Sequence, residues 1–379
     1  MLIIPTLNPL VKSLITKENA FFIAHRRNVQ NQWTIWRNNL PFVKPYYAVK
    51  CNNNPILMGT LAQFGAGFDC ASLREVREVR ALPTSNVPCI FAHPCKITNE
   101  IRAVQDLDVS TTVLDSPEEV LKLKKNGWRG SVMVRLLVED KGSKQPFGAK
   151  FGAPMSWWPE ICRELQKYEV PCSGFSFHVG SECSRAENFY TALQTGKAFT
   201  NLLASYQKQP ISLIDIGGGF LPNESSLMAC ATQIKKAKAD FFPTKKLAPV
   251  AWIAEPGRYF AASFFSLYVP IIGKKKRLDG NGWRYTINES IYGSFSNIAF
   301  DQQAPTPRVL RNSVLGETTY QSEIYGRTCD SGDCLGKDFH LPELNEGDWL
   351  HFENMGAYTI VTASEFNGFP RPDIFIDDN

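Results

Sequence analysis

Short apolar runs alternate with amphipathic stretches between about residues 20 and 260 of the chain. Apolar runs bounded by turn residues predict buried β-strands, whereas apolar positions three and four apart predict helices. About eight strand–helix units in about 235 residues favour an α/β fold of the (β/α)8 TIM-barrel type, with a doubly wound open sheet as the alternative. The predicted strands are residues 21–24, 46–49, 67–70, 89–92, 112–114, 131–136, 174–177, 213–216 and 250–254.

Two helices between these strands carry clear local signals. Ser116 precedes Pro117 and two glutamates, which is typical of an N-cap with proline in the first turn, and predicts a helix to residue 125. Ile161 and Leu165 repeat at helical spacing and predict a helix over residues 157–168.

The pattern changes after about residue 260, where strand-like runs are separated by turns with little helix. This arrangement predicts a second, β-rich domain. Its predicted strands are residues 264–269, 283–287, 349–352 and 358–361.

Composition excludes several classes of protein. The 379 residues carry 41 basic and 37 acidic side chains, a balance that does not favour nucleic acid as a partner. No apolar segment reaches the length of about 18 residues that spans a membrane, and no basic segment precedes the apolar start, so we expect a cytoplasmic protein. The 10 cysteines form no Cys-x-x-Cys pair and the 5 histidines do not cluster with them, so neither a disulfide framework nor a metal site is expected.

Polar residues follow the predicted strands at their carboxyl ends, where barrels carry their working residues. Lys50 in such a position can form a Schiff base with a carbonyl, although an ordinary loop lysine would leave the same pattern. His178 can stack on a flat aromatic ligand or act as an acid or base, and a hydrogen-bonded core histidine is the alternative.

A carboxylate and a glycine run complete this set. Glu255 near Arg258 forms a salt bridge in the simpler interpretation, but a carboxylate beside a pyridine nitrogen would keep that nitrogen protonated. Gly217, Gly218 and Gly219 can turn their N–H groups toward a phosphate or can form a tight turn that needs a positive φ. Lysine, histidine, carboxylate and phosphate nest together are what a pyridoxal phosphate site requires.

The ordered motifs of the chain resemble the fold-type III pyridoxal phosphate-dependent decarboxylases of basic amino acids, the family of eukaryotic ornithine decarboxylase. The resemblance runs nearly end to end and implies an alanine racemase-like fold, with a barrel domain over residues 26–261 and a β-rich domain from residues 1–25 and 262–379. The motifs are YYAVKCN (46–52), FDCAS (68–72), HPCK (93–96), KFGA (150–153), FHVGS (177–181), DIGGGF (215–220), AEPGRY (254–259), YGSF (292–295), TCDSGD (328–333), NMGAYT (354–359) and FNGF (366–369).

This resemblance implies a role for each matching residue. Lys50 would hold pyridoxal 5′-phosphate covalently, Glu255 would pair with the pyridinium nitrogen and His178 would stack on the ring. Cys329 would help control protonation after carbon dioxide leaves. The residues expected to bind the phosphate are Gly217, Gly218, Gly219, Arg258 and Tyr358 with Ser181 nearby; Asp69 and Arg135 match further active-site positions; Asp301 and Asp330 would bind the distal amine of the substrate.

The resemblance also implies a homodimer in which Cys329 and Asp330 reach into the partner's barrel. The expected reaction is decarboxylation of L-ornithine to putrescine, a step of polyamine biosynthesis, with lysine or arginine as alternative substrates. An antizyme-inhibitor-like regulator without catalysis would lack the lysine or the cysteine. A racemase on the same barrel would lack the Cys-Asp pair.

The chain departs from the family pattern at four places. Glu182 stands where glycine is usual, Glu289-Ser290 replaces Asp-Gly, Phe300 replaces tyrosine and Arg327 replaces proline. Glu182 adds charge near the expected phosphate site and Arg327 adds charge near Asp330. These changes leave the cofactor assignment intact and leave the choice of basic amino acid open.

Overall fold

The structure is a computed structural model that describes residues 8–243, 249–310 and 317–377. The chain divides into two compact units. One unit runs from Gln30 to Phe260, and the other combines the residues up to Val29 with those from Ala261 onward.

The unit from Gln30 to Phe260 contains a closed barrel of eight parallel strands. The closed ring confirms the barrel and excludes the open sheet. Its strands are apolar on both faces because side chains fill the barrel interior and helices cover the outside. Ile90, Val113, Met133 and Ile253 form an interior cluster. In order around the barrel, the strands are Leu213–Asp215, Ala251–Ala254, Val43–Ala48, Gly67–Cys70, Cys89–Phe91, Thr111–Leu114, Ser131–Arg135 and Cys172–Ser176.

Helices connect the barrel strands. Both helices predicted individually are present, as Pro117–Lys125 and Trp158–Lys167. Ser116 takes the N-cap position, but its side chain makes no capping hydrogen bond. Ile161 and Leu165 are buried, as their spacing predicted. The other helices up to residue 243 are Pro9–Leu14, Arg26–Asn39, Pro55–Gln63, Leu73–Arg80, Glu100–Gln105, Glu187–Leu203 and Glu224–Phe241, with short 3-10 turns at Ile15–Lys17, Val49–Cys51 and Met155–Trp157.

Two further elements of this unit matter for the site. Ser143–Gln145 and Ser181–Cys183 pair antiparallel as a small sheet outside the barrel. Arg258–Ala261, a single helical turn, follows the last barrel strand.

The other unit is built on one eight-stranded, mostly antiparallel sheet. Phe21–His25 belongs to this sheet, where it pairs antiparallel with Phe265–Lys276 and parallel with Asp373–Asp377. Val11, Leu14, Tyr268 and Trp349 pack into its core. The remaining strands are Trp283–Ile287, Arg308–Val309, Thr319–Tyr325, Cys334–Pro342 and Trp349–Phe352. The helices Pro9–Leu14 and Ser296–Asp301 also belong to this unit, as do the 3-10 turns at Ile15–Lys17, Ala262–Phe264 and Phe366–Gly368.

The strand predicted at residues 358–361 is wrong. The segment forms successive turns instead, and Tyr358 has a φ of 54°, in the left-handed region that a strand does not contain. The Thr359 hydroxyl donates to the carbonyl of Met355 (2.7 Å) and the Thr362 hydroxyl to that of Tyr358 (2.8 Å). These local bonds satisfy the backbone in place of a strand ladder.

Among the described helices, none is both long and apolar enough to cross a bilayer. All 10 cysteines are free thiols. No group of three or more potential metal ligands occurs within residues 8–243, 249–310 and 317–377.

Candidate functional site

Lys50 lies in the short turn that follows the barrel strand Val43–Ala48. Its Nζ donates to Asp69 Oδ2 at 2.8 Å, and Asp69 lies on the neighbouring strand Gly67–Cys70. The Lys50 side chain is 44% exposed, whereas that of Asp69 is 1% exposed. Lys50 is therefore half-exposed to solvent, and a buried carboxylate fixes its ammonium group.

Gly217, Gly218 and Gly219 lie in the loop that begins after the strand Leu213–Asp215, and we call this segment the glycine turn. Gly217 and Gly219 have φ values of 63° and 102°, so the turn requires glycine at both positions. The Gly217 N–H donates to Asp215 Oδ1 at 2.9 Å. This bond occupies the N–H group of Gly217. The predicted phosphate nest therefore depends on the N–H groups of Gly218 and Gly219.

Gly218 is closely packed. A Cβ atom at this position would lie 2.8 Å from His178 Nε2 and 2.8 Å from the Glu255 carbonyl oxygen. The Glu255 N–H in turn donates to the Gly217 carbonyl at 2.7 Å. The absence of side chains thus lets three strand ends approach one another.

Glu255 follows the strand Ala251–Ala254 and interacts with the carboxyl group of Asp215. Burial, followed by the charge of Asp69, raises the pKa of Glu255 to about 7. Burial and then the charge of Glu255 raise the pKa of Asp215 well above its usual range. Burial penalises the charged form of both carboxyls and two adjacent carboxylates repel each other, so Asp215 keeps its proton.

His178 follows the strand Cys172–Ser176 and is neutral. Burial, reinforced by the positive charges of Arg135 and Lys50, holds its pKa well below the usual value. Its Nδ1 accepts the N–H of Gly180 at 3.0 Å. The Phe147 ring packs edge-on against the imidazole, with 4.7 Å between ring centroids.

Arg135 ends the strand Ser131–Arg135. Its guanidinium lies 4.8 Å from the centroid of the Phe151 ring. Burial lowers the pKa of Arg135, while the nearby carboxylates of Glu255, Asp115 and Asp69 oppose that shift. Arg135 therefore supplies positive charge to a rim that is otherwise rich in carboxyl groups.

Arg258 and Ser181 lie together beside Glu182. Arg258 Nη2 lies 3.5 Å from Ser181 Oγ, and Arg258 Nε lies 3.1 Å from Glu182 Oε1. Arg258 therefore forms an ion pair with Glu182, a partner that the simple interpretation of a Glu255–Arg258 salt bridge did not include.

Three motifs of the sheet unit converge around Asp330. The Tyr292 hydroxyl donates to Asp330 Oδ2, and the Gly332 N–H donates to Oδ1 at 3.0 Å. These two bonds lower the pKa of Asp330, so it is a carboxylate at neutral pH. The Phe366 ring lies 4.7 Å from that of Tyr292. Cys329, next to Asp330, is exposed.

Asp301 and Tyr358 lie in the same unit. Asp301 ends the helix Ser296–Asp301 and is 4% exposed. Tyr358 lies in the turn segment described above, with its backbone in the left-handed region. The predicted roles of both residues stay predictions.

Two departures from the family pattern meet in this unit. Arg327 Nη2 lies 3.8 Å from Glu289 Oε1, and the Arg327 N–H donates to the Glu289 carbonyl at 3.1 Å. The Arg327 guanidinium also stacks 4.6 Å from the centroid of Phe369. Glu289 and Arg327 thus complement each other and connect the segments beside Cys329 and Asp330.

Sequence reasoning assigned no role to Asp215 and Phe147, and it missed the contact of Glu182. Asp215 had a detectable signal, because a carboxylate ended an apolar strand next to the glycines. Phe147 had none, since its contact with His178 depends on the path of a long loop.

Comparison with known proteins places this geometry in context. Residues 26–262 match the family described as pyridoxal-dependent decarboxylase, pyridoxal binding domain. Ornithine decarboxylase of Schizosaccharomyces pombe is 36% identical over 361 residues, which cover 93% of this chain and 82% of that protein.

Solved structures give the same result. The arginine decarboxylase of Paramecium bursaria Chlorella virus superposes with a TM-score of 0.92 at 32% identity, covering 98% of this chain and 100% of the other. The lysine/ornithine decarboxylase of Vibrio vulnificus, complexed with cadaverine, gives 0.86 at 27% identity, with 98% of each chain covered. With these similarities along nearly its whole length and a family match over more than half of it, the chain belongs to the pyridoxal-dependent decarboxylases.

Proposed function

We propose that this protein decarboxylates a basic L-amino acid with pyridoxal 5′-phosphate, and that L-ornithine, giving putrescine, is its first substrate. The observation that carries the proposal is the set of groups at the carboxyl ends of the barrel strands. The Lys50–Asp69 pair, the glycine turn, neutral His178 and buried Glu255 follow strands of one closed ring.

The residues of the barrel fit this cofactor. Glu255 is a buried carboxyl with a raised pKa, and a protonated pyridine nitrogen beside it would stabilise its ionised form. Neutral His178 offers a flat, uncharged face to a ring. Gly218 and Gly219, with Arg258 and Ser181, offer backbone donors and a guanidinium to a phosphate.

When bound, the cofactor supplies an electron sink for the pair of electrons left at Cα as carbon dioxide departs. Lys50 would hold the cofactor aldehyde, and Asp69 orients Nζ and stabilises its charge. Glu255 would hold the proton at the ring nitrogen. Arg135 lies where it balances the negative charge of Asp69 and Glu255.

Asp301 and Asp330 are the proposed ligands of the distal ammonium group of the substrate. Tyr292 and Gly332 hold the Asp330 carboxylate in one orientation. A carboxylate with fixed geometry favours a substrate with a second cation over a neutral amino acid of equal length. Cys329, the neighbour of Asp330, would return the proton to Cα.

We further propose a homodimer with shared sites, acting in the cytoplasm. The 10 free cysteines suit a reducing compartment. Shared sites are testable by mixing Lys50→Ala with Cys329→Ala subunits. Random pairing would place one intact site in half of the dimers and restore about a quarter of the activity, whereas sites within one subunit would restore none.

The visible spectrum tests the cofactor assignment. Purified protein titrated with pyridoxal phosphate should develop an absorbance band that Lys50→Ala does not develop. A colourless protein that takes up no cofactor would contradict the proposal, and it would favour the regulator without catalysis.

A further inference from the structure

The Glu182 carboxylate forms an ion pair with Arg258, the arginine that the proposed function assigns to the cofactor phosphate. Its Oε1 lies 3.1 Å from Arg258 Nε, and the two side chains are 17% and 9% exposed. Ser181, the preceding residue, contacts the same guanidinium at 3.5 Å. A carboxylate of the chain itself therefore interacts with the cation that an incoming phosphate would need.

The backbone at Glu182 is strained. Its φ of 51° lies in the left-handed region, where a residue other than glycine costs about 1–2 kcal/mol. Pairing of Ser181–Cys183 with Ser143–Gln145 holds this conformation, and the Cys183 N–H donates to the Gly219 carbonyl at 3.1 Å. The strained residue is thereby fixed beside the glycine turn.

A second cation lies on the other side of the carboxylate. Lys144 Nζ, from the paired strand, lies 3.7 Å from Glu182 Oε2. The Lys144 side chain is 36% exposed, in contrast to nearly buried Arg258. A small rotation of Glu182 toward Lys144 would keep the carboxylate paired and free the Arg258 guanidinium.

We propose that Glu182 is an internal anion that competes with phosphate for Arg258, and that Lys144 receives its carboxylate when the phosphate-bearing cofactor binds. The proposal rests on the assignment of Arg258 and the glycine turn to the cofactor phosphate. Two anions beside one guanidinium repel each other, so Glu182 weakens the binding of the phosphate group. Glu182 should not change the affinity for ligands that lack a phosphate.

The test compares pyridoxal phosphate with pyridoxal, which lacks the phosphate. Dissociation constants are measured on the cofactor-free full chain by quenching of intrinsic fluorescence. Glu182→Gln should bind pyridoxal phosphate at least about tenfold more tightly than the parent, with pyridoxal affinity unchanged within about twofold. Lys144→Gln should weaken the binding of pyridoxal phosphate but not that of pyridoxal, because the displaced Glu182 carboxylate then has no lysine to pair with.

A matched control is Glu139→Gln, which removes a carboxylate from an exposed ion pair with Lys141 (3.4 Å) and should change neither constant. Glu182→Gly suits the positive φ and tests the same point if the glutamine variant does not fold. The role of Glu182 is overturned if Glu182→Gln or Glu182→Gly leaves the affinity for pyridoxal phosphate unchanged. It is also overturned if the affinity for pyridoxal rises by the same factor. In that case, a parent that still binds the cofactor through Lys50 leaves the proposed function standing, whereas failure of the parent to bind contradicts the function itself.

Discussion

Lys50 Nζ donates to Asp69 Oδ2 across 2.8 Å, from the end of one barrel strand to the next. Lys50→Ala should abolish both carbon dioxide release and the cofactor absorbance band, because it removes the amine assigned to the Schiff base. Lys44→Ala on the same strand is the control and should retain both. Near-normal turnover by Lys50→Ala would refute the covalent role.

Gly218 should not tolerate a side chain. The Cβ of Gly218→Ala would lie 2.8 Å from His178 Nε2 and must displace the ring. We expect at least about tenfold weaker cofactor binding and about 1–3 kcal/mol less stability. Gly59→Ala is the matched control, because nothing lies within 4 Å of its Cβ, and should be neutral or stabilising by about 0.5–1 kcal/mol. Cofactor titration and urea unfolding measure both effects.

Glu255 should make the cofactor-free protein less stable as pH rises. Its pKa is raised from 4.5 to about 7 in the folded state, so the folded protein keeps a proton that the unfolded chain has lost between these values. This contribution to stability is fully present below pH 4.5 and is lost as pH rises through about 7.

Urea unfolding of the cofactor-free protein between pH 5 and pH 8 checks this dependence. Glu255→Gln should flatten the decline, whereas Glu164→Gln, which removes a carboxylate from a helix-surface pair with Lys167, should leave it unchanged. An equally steep decline in Glu255→Gln would show that this carboxyl does not carry the effect.

Asp330 should determine preference for substrates with a distal cation. Asp330→Ala should raise the KM for L-ornithine roughly ten- to hundredfold, the scale of a lost hydrogen bond to a charged group. Tyr292→Phe removes one donor to this carboxylate and should give a smaller change. Equal rates on ornithine and norvaline, its uncharged analogue, would count against this role.

The barrel was predictable from sequence because its strands are buried on both faces and stand out as apolar runs. The strands of the sheet unit were less predictable. The strand Thr319–Tyr325 has exposed residues in its first half. Residues 358–361 have strand-like composition but form turns that threonine hydroxyls stabilise. Such turns depend on surroundings that local sequence does not encode.

The same limit applies to the site. Lys50 and Glu255 were predictable because each directly follows an apolar strand. The Asp215–Glu255 pair required knowledge that the strands Leu213–Asp215 and Ala251–Ala254 are neighbours. The Glu182–Arg258 contact and the neighbouring Ser181–Arg258 contact, the latter between residues 77 positions apart, both depend on a small sheet outside the barrel. Hydrophobic pattern alone reports no such long-range pairing.

The most direct test of the central claim is release of carbon dioxide from a panel of amino acids by the cofactor-loaded protein. The panel contains L-ornithine, L-lysine, L-arginine and L-2,4-diaminobutyrate, with norvaline as the uncharged control. We predict release from the basic amino acids, fastest from L-ornithine, with the matching decarboxylated amine as the second product. Release from none of them by protein that has bound the cofactor would contradict the account.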